Sequence, residues 1–355
     1  MNPFKFGTIV DGEFFTDRVN EIQTLRQKLD SENHIVLISP RRYGKSSLVR
    51  KTLSEMQRPY IWVDFQYVYT AEGLASAIVA CICKLYTYEK IRHLMTHFRV
   101  VPTISTNPIT SNIEISFQPT LNTKILLEDA LELIQKVTNA QQRLIVVFDE
   151  FQEVNNIQKE LDKQLRAIMQ HQHGLNYIFL GSQESMMEEI FERKKSPFYH
   201  FGQLMRLGKI PYVDLYAYIV SRLPNECPLA RQEQIAREIL SFTHEHPFYT
   251  QQLSSAVWEL MVYQHIYDDV VKQAIDSIVQ QHDLDFERLW LSQNRTVRNV
   301  LSQFAAGNNP MTNRHIPSST TYSTIKKLLR SGYLVNDSEY TIEDPFFASW
   351  VIKHT

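Results

Sequence analysis

Eight residues, Ser39-Pro40-Arg41-Arg42-Tyr43-Gly44-Lys45-Ser46, have the types and spacing to hold a polyphosphate. They fit GxxxxGK[ST] except that serine takes the first glycine position. In such a loop Gly44 lets the backbone approach the β-phosphate, and Lys45 reaches the β and γ oxygens as a point charge. The Ser46 hydroxyl ligates Mg2+, and Ser47 adds an α-phosphate contact. A basic loop that merely caps a helix is the alternative, and the flanks weigh against it. His34 to Ile38 is a short β-branched run and Ser46 to Met56 has helical spacing, so free N–H groups at a helix start face the ligand. Ser39 raises one question, because a serine there must avoid backbone angles that only glycine visits at little cost.

A second constellation completes this chemistry. Leu144-Ile145-Val146-Val147-Phe148 is a continuous apolar run, the mark of a parallel strand buried on both faces, and it ends in Asp149-Glu150. Ligands bind at the carboxyl ends of such strands. Asp149 is expected to hold the Mg2+ shell together with Ser46, and Glu150 to orient or activate the attacking water. Alone, the pair reads equally well as an acidic turn. With a phosphate loop upstream it reads as the metal and water side of a nucleoside triphosphate site.

The elements that must position these groups alternate along the first two hundred residues. Expected strands are 34–38, 60–65, 144–148, 177–180 and 204–207, and expected helices 46–56, 74–86, 123–138 and 157–170. Five parallel strands with interleaved helices, an α/β sheet, is the simplest arrangement. Residues 100–118 interrupt the rhythm with two prolines and an alternating Ile113-Glu114-Ile115-Ser116-Phe117, expected as an inserted hairpin or a single excursion strand. Beyond Pro211 strands cease, and 213–223, 232–242, 250–263 and 270–285 read as a helical module. The last segment places helices at 297–305 and 322–331 before Tyr333-Leu334-Val335 and Tyr340-Thr341-Ile342, the pattern of a winged helix-turn-helix.

The bulk numbers bound the rest. The chain has 355 residues, 43% of them hydrophobic, enough to bury a core without disulfides. Its three cysteines suit neither a zinc knuckle nor a redox pair. His171 and His173 would point roughly 200° apart on a helix, and neither they nor His244 and His246 gain a carboxylate at ligand spacing. The start, Met1-Asn2-Pro3-Phe4-Lys5-Phe6-Gly7, is not that of a signal peptide, and no run is long enough to span a bilayer, so a cytoplasmic location without a membrane anchor is expected. A formal charge of −2 exerts no global pull toward nucleic acid.

Read in order, several further motifs accompany the loop and the acidic pair. They are Asn2-Pro3-Phe4, Phe14-Phe15-Thr16-Asp17-Arg18 with Glu21, Gly181-Ser182, Ser196-Pro197-Phe198-Tyr199, His246-Pro247-Phe248-Tyr249 and Asp344-Pro345-Phe346-Phe347. Together they make the chain resemble the archaeal-type ATPase family, within the AAA+-like signal-transduction ATPases. That resemblance implies a P-loop NTPase core over 1–212 with an adenine-side N-terminal segment, a helical lid over 213–288 and a winged helix over 289–355. It implies ATP or ADP with Mg2+ as ligands, bound by Phe15, Arg18, Pro40, Arg41, Arg42, Tyr43, Gly44, Lys45, Ser46, Ser47, His246 and Pro247. It makes Gln183, beside Ser182, the γ-phosphate sensor, and Arg206 a candidate charge-stabilising arginine. Arg193 or a neighbouring subunit is an alternative for that last role, and Arg206 paired with an acid is the plainer reading. The lid motif departs from the family in having Glu245 where glycine is usual.

Two classes of function follow. One is slow ATP hydrolysis as a conformational switch that changes docking of lid and winged helix for a protein partner. The other is a binding module, either a nucleotide-gated DNA regulator or a scaffold that holds nucleotide without cleaving it. Lys326, Lys327 and Arg330 fall on the expected recognition helix, whereas Asp337, Glu339 and Glu343 in the wing would oppose a phosphate backbone.

Overall fold

The computed structural model describes all residues except 11, 97, 100–101, 107–112, 118–122, 140–142, 313–316 and 337–338. The chain divides into two compact units. One comprises Val19–Ser39 and Leu48–Leu207, the other Met1–Arg18, Pro40–Ser47 and Gly208–Thr355.

The first unit is built on a five-stranded parallel sheet. Its strands are β1 (Ile35–Ile38), β2 (Tyr60–Asp64), β5 (Ile145–Asp149), β6 (Asn176–Gly181) and β7 (Gln203–Arg206), in the order β2-β5-β6-β1-β7. The continuous apolar runs predicted as central strands are central: every residue of β1, β5 and β6 is buried. The edge strand β2 instead alternates between buried and half-buried residues, as a strand covered mainly on one face must. Helices α1 (Val19–Asp30), α2 (Lys45–Met56), α3 (Ala71–Leu85), α4 (Tyr88–Met95), α5 (Thr123–Val137), α6 (Val154–Ile157), α7 (Leu161–Met169) and α8 (Glu184–Phe191) separate the strands. The helix α3, apolar on most faces, packs against α5, β2 and the strand Ile113–Phe117, which accounts for its lack of a polar side.

Two local differences from the sequence expectation have backbone causes. The helix expected over 157–170 is broken, because Gln158 is extended and Glu160 takes the left-handed region at φ +63°. The inserted hairpin is antiparallel and has a second strand that periodicity did not reveal, β3 (Pro102–Thr106) paired with β4 (Ile113–Phe117). The core beneath the sheet's acidic end is aromatic. Phe151 lies against Phe65, Phe148, Phe179, Phe191 and Phe198, with ring centroids between 4.7 and 6.1 Å away.

The second unit is helical. Helices α9 (Tyr212–Val220), α10 (Leu229–Thr243), α11 (Pro247–Gln264), α12 (Val270–Gln281), α13 (Asp283–Leu291), α14 (Arg295–Ala305) and α15 (Ser318–Arg330) lead to the hairpin of β8 (Leu334–Asn336) and β9 (Tyr340–Ile342). The expected helix to 285 stops at Gln281, and α13 follows from Asp283 as a separate helix. A final helix, α16 (Pro345–His354), lies beyond the expected elements. Asp344 caps it by accepting from the Phe346 and Phe347 amides at 2.9 and 3.1 Å, with Pro345 in the first turn. One apolar core joins α9–α16 and Phe4 of the N-terminal segment. Among the described residues, no helix is long and apolar enough to cross a membrane.

Candidate functional site

The loop Pro40–Ser47 leaves β1 and runs into α2, which begins at Lys45. Its left-handed residues are Arg42 (φ +65°) and Gly44 (φ +87°), not Ser39. That answers the question raised by the missing glycine. Ser39 is fully buried with its N–H directed at the Gly181 carbonyl 3.5 Å away, so the turn is made three residues later. Gly44 is needed for its φ rather than for space, since a Cβ there would meet nothing within 4 Å. Lys45 is buried, its Nζ donating to the Pro40 carbonyl at 3.1 Å, so its ammonium folds back over the loop. Ser47 is engaged by the N-terminal segment, its Oγ accepting from Val10 N–H at 3.0 Å.

The same unit places the other residues that the resemblance assigns to nucleotide binding. Arg18 is 4% exposed and donates to the carbonyls of Gly208 (2.7 Å), Tyr43 (3.3 Å) and Lys209 (3.3 Å). Its guanidinium therefore clasps the back of the phosphate loop to the segment that opens the helical unit. Phe15 is half-buried in the turn after Gly12, to whose carbonyl its N–H donates at 3.3 Å. His246 caps α11, its Nδ1 accepting from Phe248 N–H at 3.2 Å, with Pro247 in the first turn. Glu245 stands at φ +57°, directly after His244 at +50°. This is the conformation glycine adopts freely, which explains why glycine is the usual residue there.

Arg42 and Tyr43 lie against the start of α11. The Arg42 guanidinium sits 4.5 Å from the Phe248 ring centroid and donates to Tyr249 Oη at 3.3 Å. The Tyr43 ring meets His246 edge-on at 4.8 Å. Asp344 lies close by; burial first, and then the charge of Glu343, hold its carboxyl up at about 6 against the opposing pull of the Phe346 and Phe347 amides and Arg42. Burial likewise raises Tyr249, with Asp344 and Glu343 adding to the effect, so the phenol stays protonated.

In the sheet unit, Asp149 ends β5 and Glu150 follows directly after it, as expected. Asp149 is 8% exposed and its Oδ1 accepts from Glu150 N–H at 3.0 Å. Glu150 itself is left-handed at φ +51°, a strained position for a side chain of its size and one that recurs at functional sites. Its Oε2 accepts from Ser182 Oγ at 2.6 Å and from the Gln152 amide. Gly181 makes room for this, because a Cβ there would lie 2.7 Å from Gln152 Oε1 and closer still to Met187. Ser182 is thus the residue after β6 that touches Glu150, while Gln183 is exposed at the N-cap of α8.

One acid escaped sequence reasoning. Asp64 ends β2 opposite Asp149 in the register, and burial first, then Glu150, raises its carboxyl above the usual range. The signal was present as an acid closing a β-rich run, the same pattern as Asp149. Arg206 is exposed and pairs with Glu188 on α8 (2.7 Å) and with Glu192 at its C-cap (3.4 Å). Arg193 pairs with Glu189 at 2.6 Å. Asp337 falls outside the described residues.

A parallel sheet with a phosphate loop after an inner strand and an acidic pair after another defines a P-loop ATPase of the AAA+-like kind. Residues 15–203 match the family of ATPase domains found predominantly in Archaea, and the chain belongs to that family. Among solved structures, the Walker-type ATPase of Pyrococcus abyssi aligns with a TM-score of 0.67 at 19% identity, over 98% of this chain and 99% of that one. The Orc2 protein of Aeropyrum pernix, in ADPNP–ADP complexes, gives 0.58 at 14% identity over 99% and 96%. The Orc1 protein of the same organism, in complex with DNA, gives 0.52 at 12% over 96% and 93%. At these identities the likeness is one of fold. No curated protein matches the sequence significantly.

Proposed function

We propose that the protein binds ATP with Mg2+ and hydrolyses it slowly, as a switch that changes how its lid and winged helix dock for a protein partner in the cytoplasm. In this reading Lys45 takes the β and γ oxygens, Ser46 and Asp149 hold Mg2+, and Glu150 orients the attacking water. Mg2+ asks for little more from the protein, since it keeps several waters and leans on one or two carboxylates and the phosphates. Phe15, Arg41, His246 and Pro247 keep their assignment to the nucleotide, and Arg206 is released to catalysis only if its two glutamates let go. The observation that carries the slow turnover is the engagement of Glu150 Oε2 by Ser182 and Gln152. A carboxylate oxygen that already accepts two hydrogen bonds has its lone pairs occupied and leaves none for a water proton. A partner that shifts Ser182 or Gln152 would release it. A switch of this kind needs nucleotide to favour one arrangement over the other, because a ligand of equal affinity for both shifts nothing.

Single-turnover hydrolysis of ATP is the test. The wild-type protein should cleave ATP below the usual enzymatic range of about 1–10³ s⁻¹ and stop on removal of Mg2+ with EDTA. Cleavage that continues in EDTA would sink the metal assignment, and binding without any cleavage would favour the scaffold.

A second reading has its own observation. Lys326, Lys327 and Arg330 are exposed together on α15, lining an open recess of about 460 Å³ with Ser323 and Ser331. The Orc1 protein, of similar fold, was solved with DNA. If this helix also reads DNA, affinity falls steeply with salt, and Lys326→Ala with Lys327→Ala lowers the slope of log K against log salt by about 0.9 for each phosphate that is no longer neutralised. Unchanged, weak binding across salt concentrations excludes DNA as the partner.

A further inference from the structure

We propose that Glu343 is a positioning residue for the phosphate loop, acting through Tyr249 and His246 on Arg42 and Tyr43. The inference rests on the reading of Pro40–Ser47 as a nucleotide loop. It adds a residue three hundred positions away, in the turn between β9 and α16, to the set that determines how well that loop binds.

The chain of contacts is short and each link has defined chemistry. Glu343 Oε2 accepts from Tyr249 Oη at 2.7 Å, and the same Oη accepts from Arg42 Nη1 at 3.3 Å. Tyr249 therefore spends its one proton on Glu343 and a lone pair on Arg42, so the hydroxyl has one orientation that serves both. The second oxygen, Oε1, lies 3.3 Å from His246 Nε2, while His246 Nδ1 is committed to Phe248 N–H. With Nδ1 accepting, the ring proton sits on Nε2, which lies 3.3 Å from the carboxylate without hydrogen-bond geometry, so this link is electrostatic. The His246 ring is the surface against which Tyr43 rests, and Phe248 is the surface beneath Arg42.

One carboxylate thus meets two of the three side chains at the start of α11 that touch the loop, Tyr249 through a hydrogen bond and His246 across 3.3 Å. It is well placed to orient them. The Glu343 side chain is 15% exposed and His246 4%, so their interaction is little screened by water. The Glu343 backbone is fixed as well, its N–H donating to the Tyr333 carbonyl at 3.0 Å beside the β8–β9 pairing, with the capped start of α16 directly after it. Arg42 needs such support, because a non-glycine residue at φ +65° keeps that conformation only where its surroundings impose it. Gly44 and Lys45 follow within three residues, so a change at Arg42 alters the amides that meet the phosphate.

The test is Mg·ADP affinity by calorimetry on the full chain, for Glu343→Ala, Glu343→Gln, Tyr249→Phe and Arg42→Ala. Lys353→Ala, which removes an ion pair to Asp276 in the same unit, and Lys45→Ala serve as controls. Glu343→Ala, Tyr249→Phe and Arg42→Ala should each weaken binding about tenfold, within the usual span of coupling between sites. The Arg42→Ala and Glu343→Ala double variant should lose no more than the worse single one, because the two act along one path. Glu343→Gln, which still accepts from Tyr249, should recover most of the loss, and Lys353→Ala should bind as the parent does. Folded Glu343→Ala and Tyr249→Phe proteins that bind ADP normally, while Lys45→Ala does not, would overturn the proposal and leave the loop assignment standing. Fully additive losses would overturn it too. Normal binding by Lys45→Ala would instead remove the loop assignment beneath it.

Discussion

Glu150→Gln should bind ATP with near-parental affinity and cleave it about 10²–10⁴-fold more slowly, the span expected when a positioned general base is lost. In barrier terms that is about 3–5 kcal/mol, so the variant separates chemistry from binding. The replacement keeps the size of the side chain and its left-handed backbone, and its amide oxygen still accepts from Ser182. What it loses, in the proposed reading, is the charge that draws a proton from water. Lys45→Ala makes the contrasting case: in the proposed reading the ammonium that folds over the loop is the cation for the phosphates, so its loss should remove binding itself. Measured by single-turnover hydrolysis beside equilibrium ADP binding, the two variants should fail at different steps. An unchanged cleavage rate in Glu150→Gln would show that another group, with Asp64 the nearest candidate by charge, activates the water.

The parts of this architecture that were legible in the sequence are those written in local pattern. The loop motif lies between a strand and a helix, and the unbroken apolar run before Asp149 marks a strand buried on both sides; the sheet bears out both readings. Pairing partners are not local, and spacing does not show them. Gln183 has the longer polar side chain, but the turn into α8 leaves it exposed and aims Ser182 at Glu150. The family box at Arg18 suggests a nucleotide contact, whereas its buried guanidinium is occupied by three carbonyls, two of them some 190 residues away. The helix α16 announced itself in Asp344-Pro345, a capping acid before a first-turn proline, but apolar periodicity alone does not separate a short helix from the strand before it. The pairing of Glu343 with Tyr249 crosses 94 positions and leaves no trace in spacing at all.

Phe151→Ala should be the most destabilising single change near the acidic pair. The ring is fully buried and touches five other phenylalanines from separate segments of the sheet unit. Phenylalanine-to-alanine changes at such sites cost about 3–5 kcal/mol, combining lost transfer energy with the cavity that remains. For a unit of this size that corresponds to a melting temperature lower by roughly 6–20 °C. The upper half of that range is expected, because aromatic neighbours held by one another in edge-to-face and stacked contacts cannot all turn inward to fill the void. The effect should also reach the chemistry. Phe151 lies between Glu150, with its strained backbone, and Gln152, which holds the Glu150 carboxylate, so the ring anchors the turn that keeps both in place. Well below its melting temperature, the variant should therefore bind nucleotide and hydrolyse it at an altered rate, whereas Phe198→Ala, in the same cluster but remote from Glu150 in sequence, should lower stability and leave turnover near the parental value. Equal turnover in all three proteins would mean that the αL turn at Glu150 is held by its own hydrogen bonds, and that the aromatic cluster supports the fold without setting the geometry of the water side of the site.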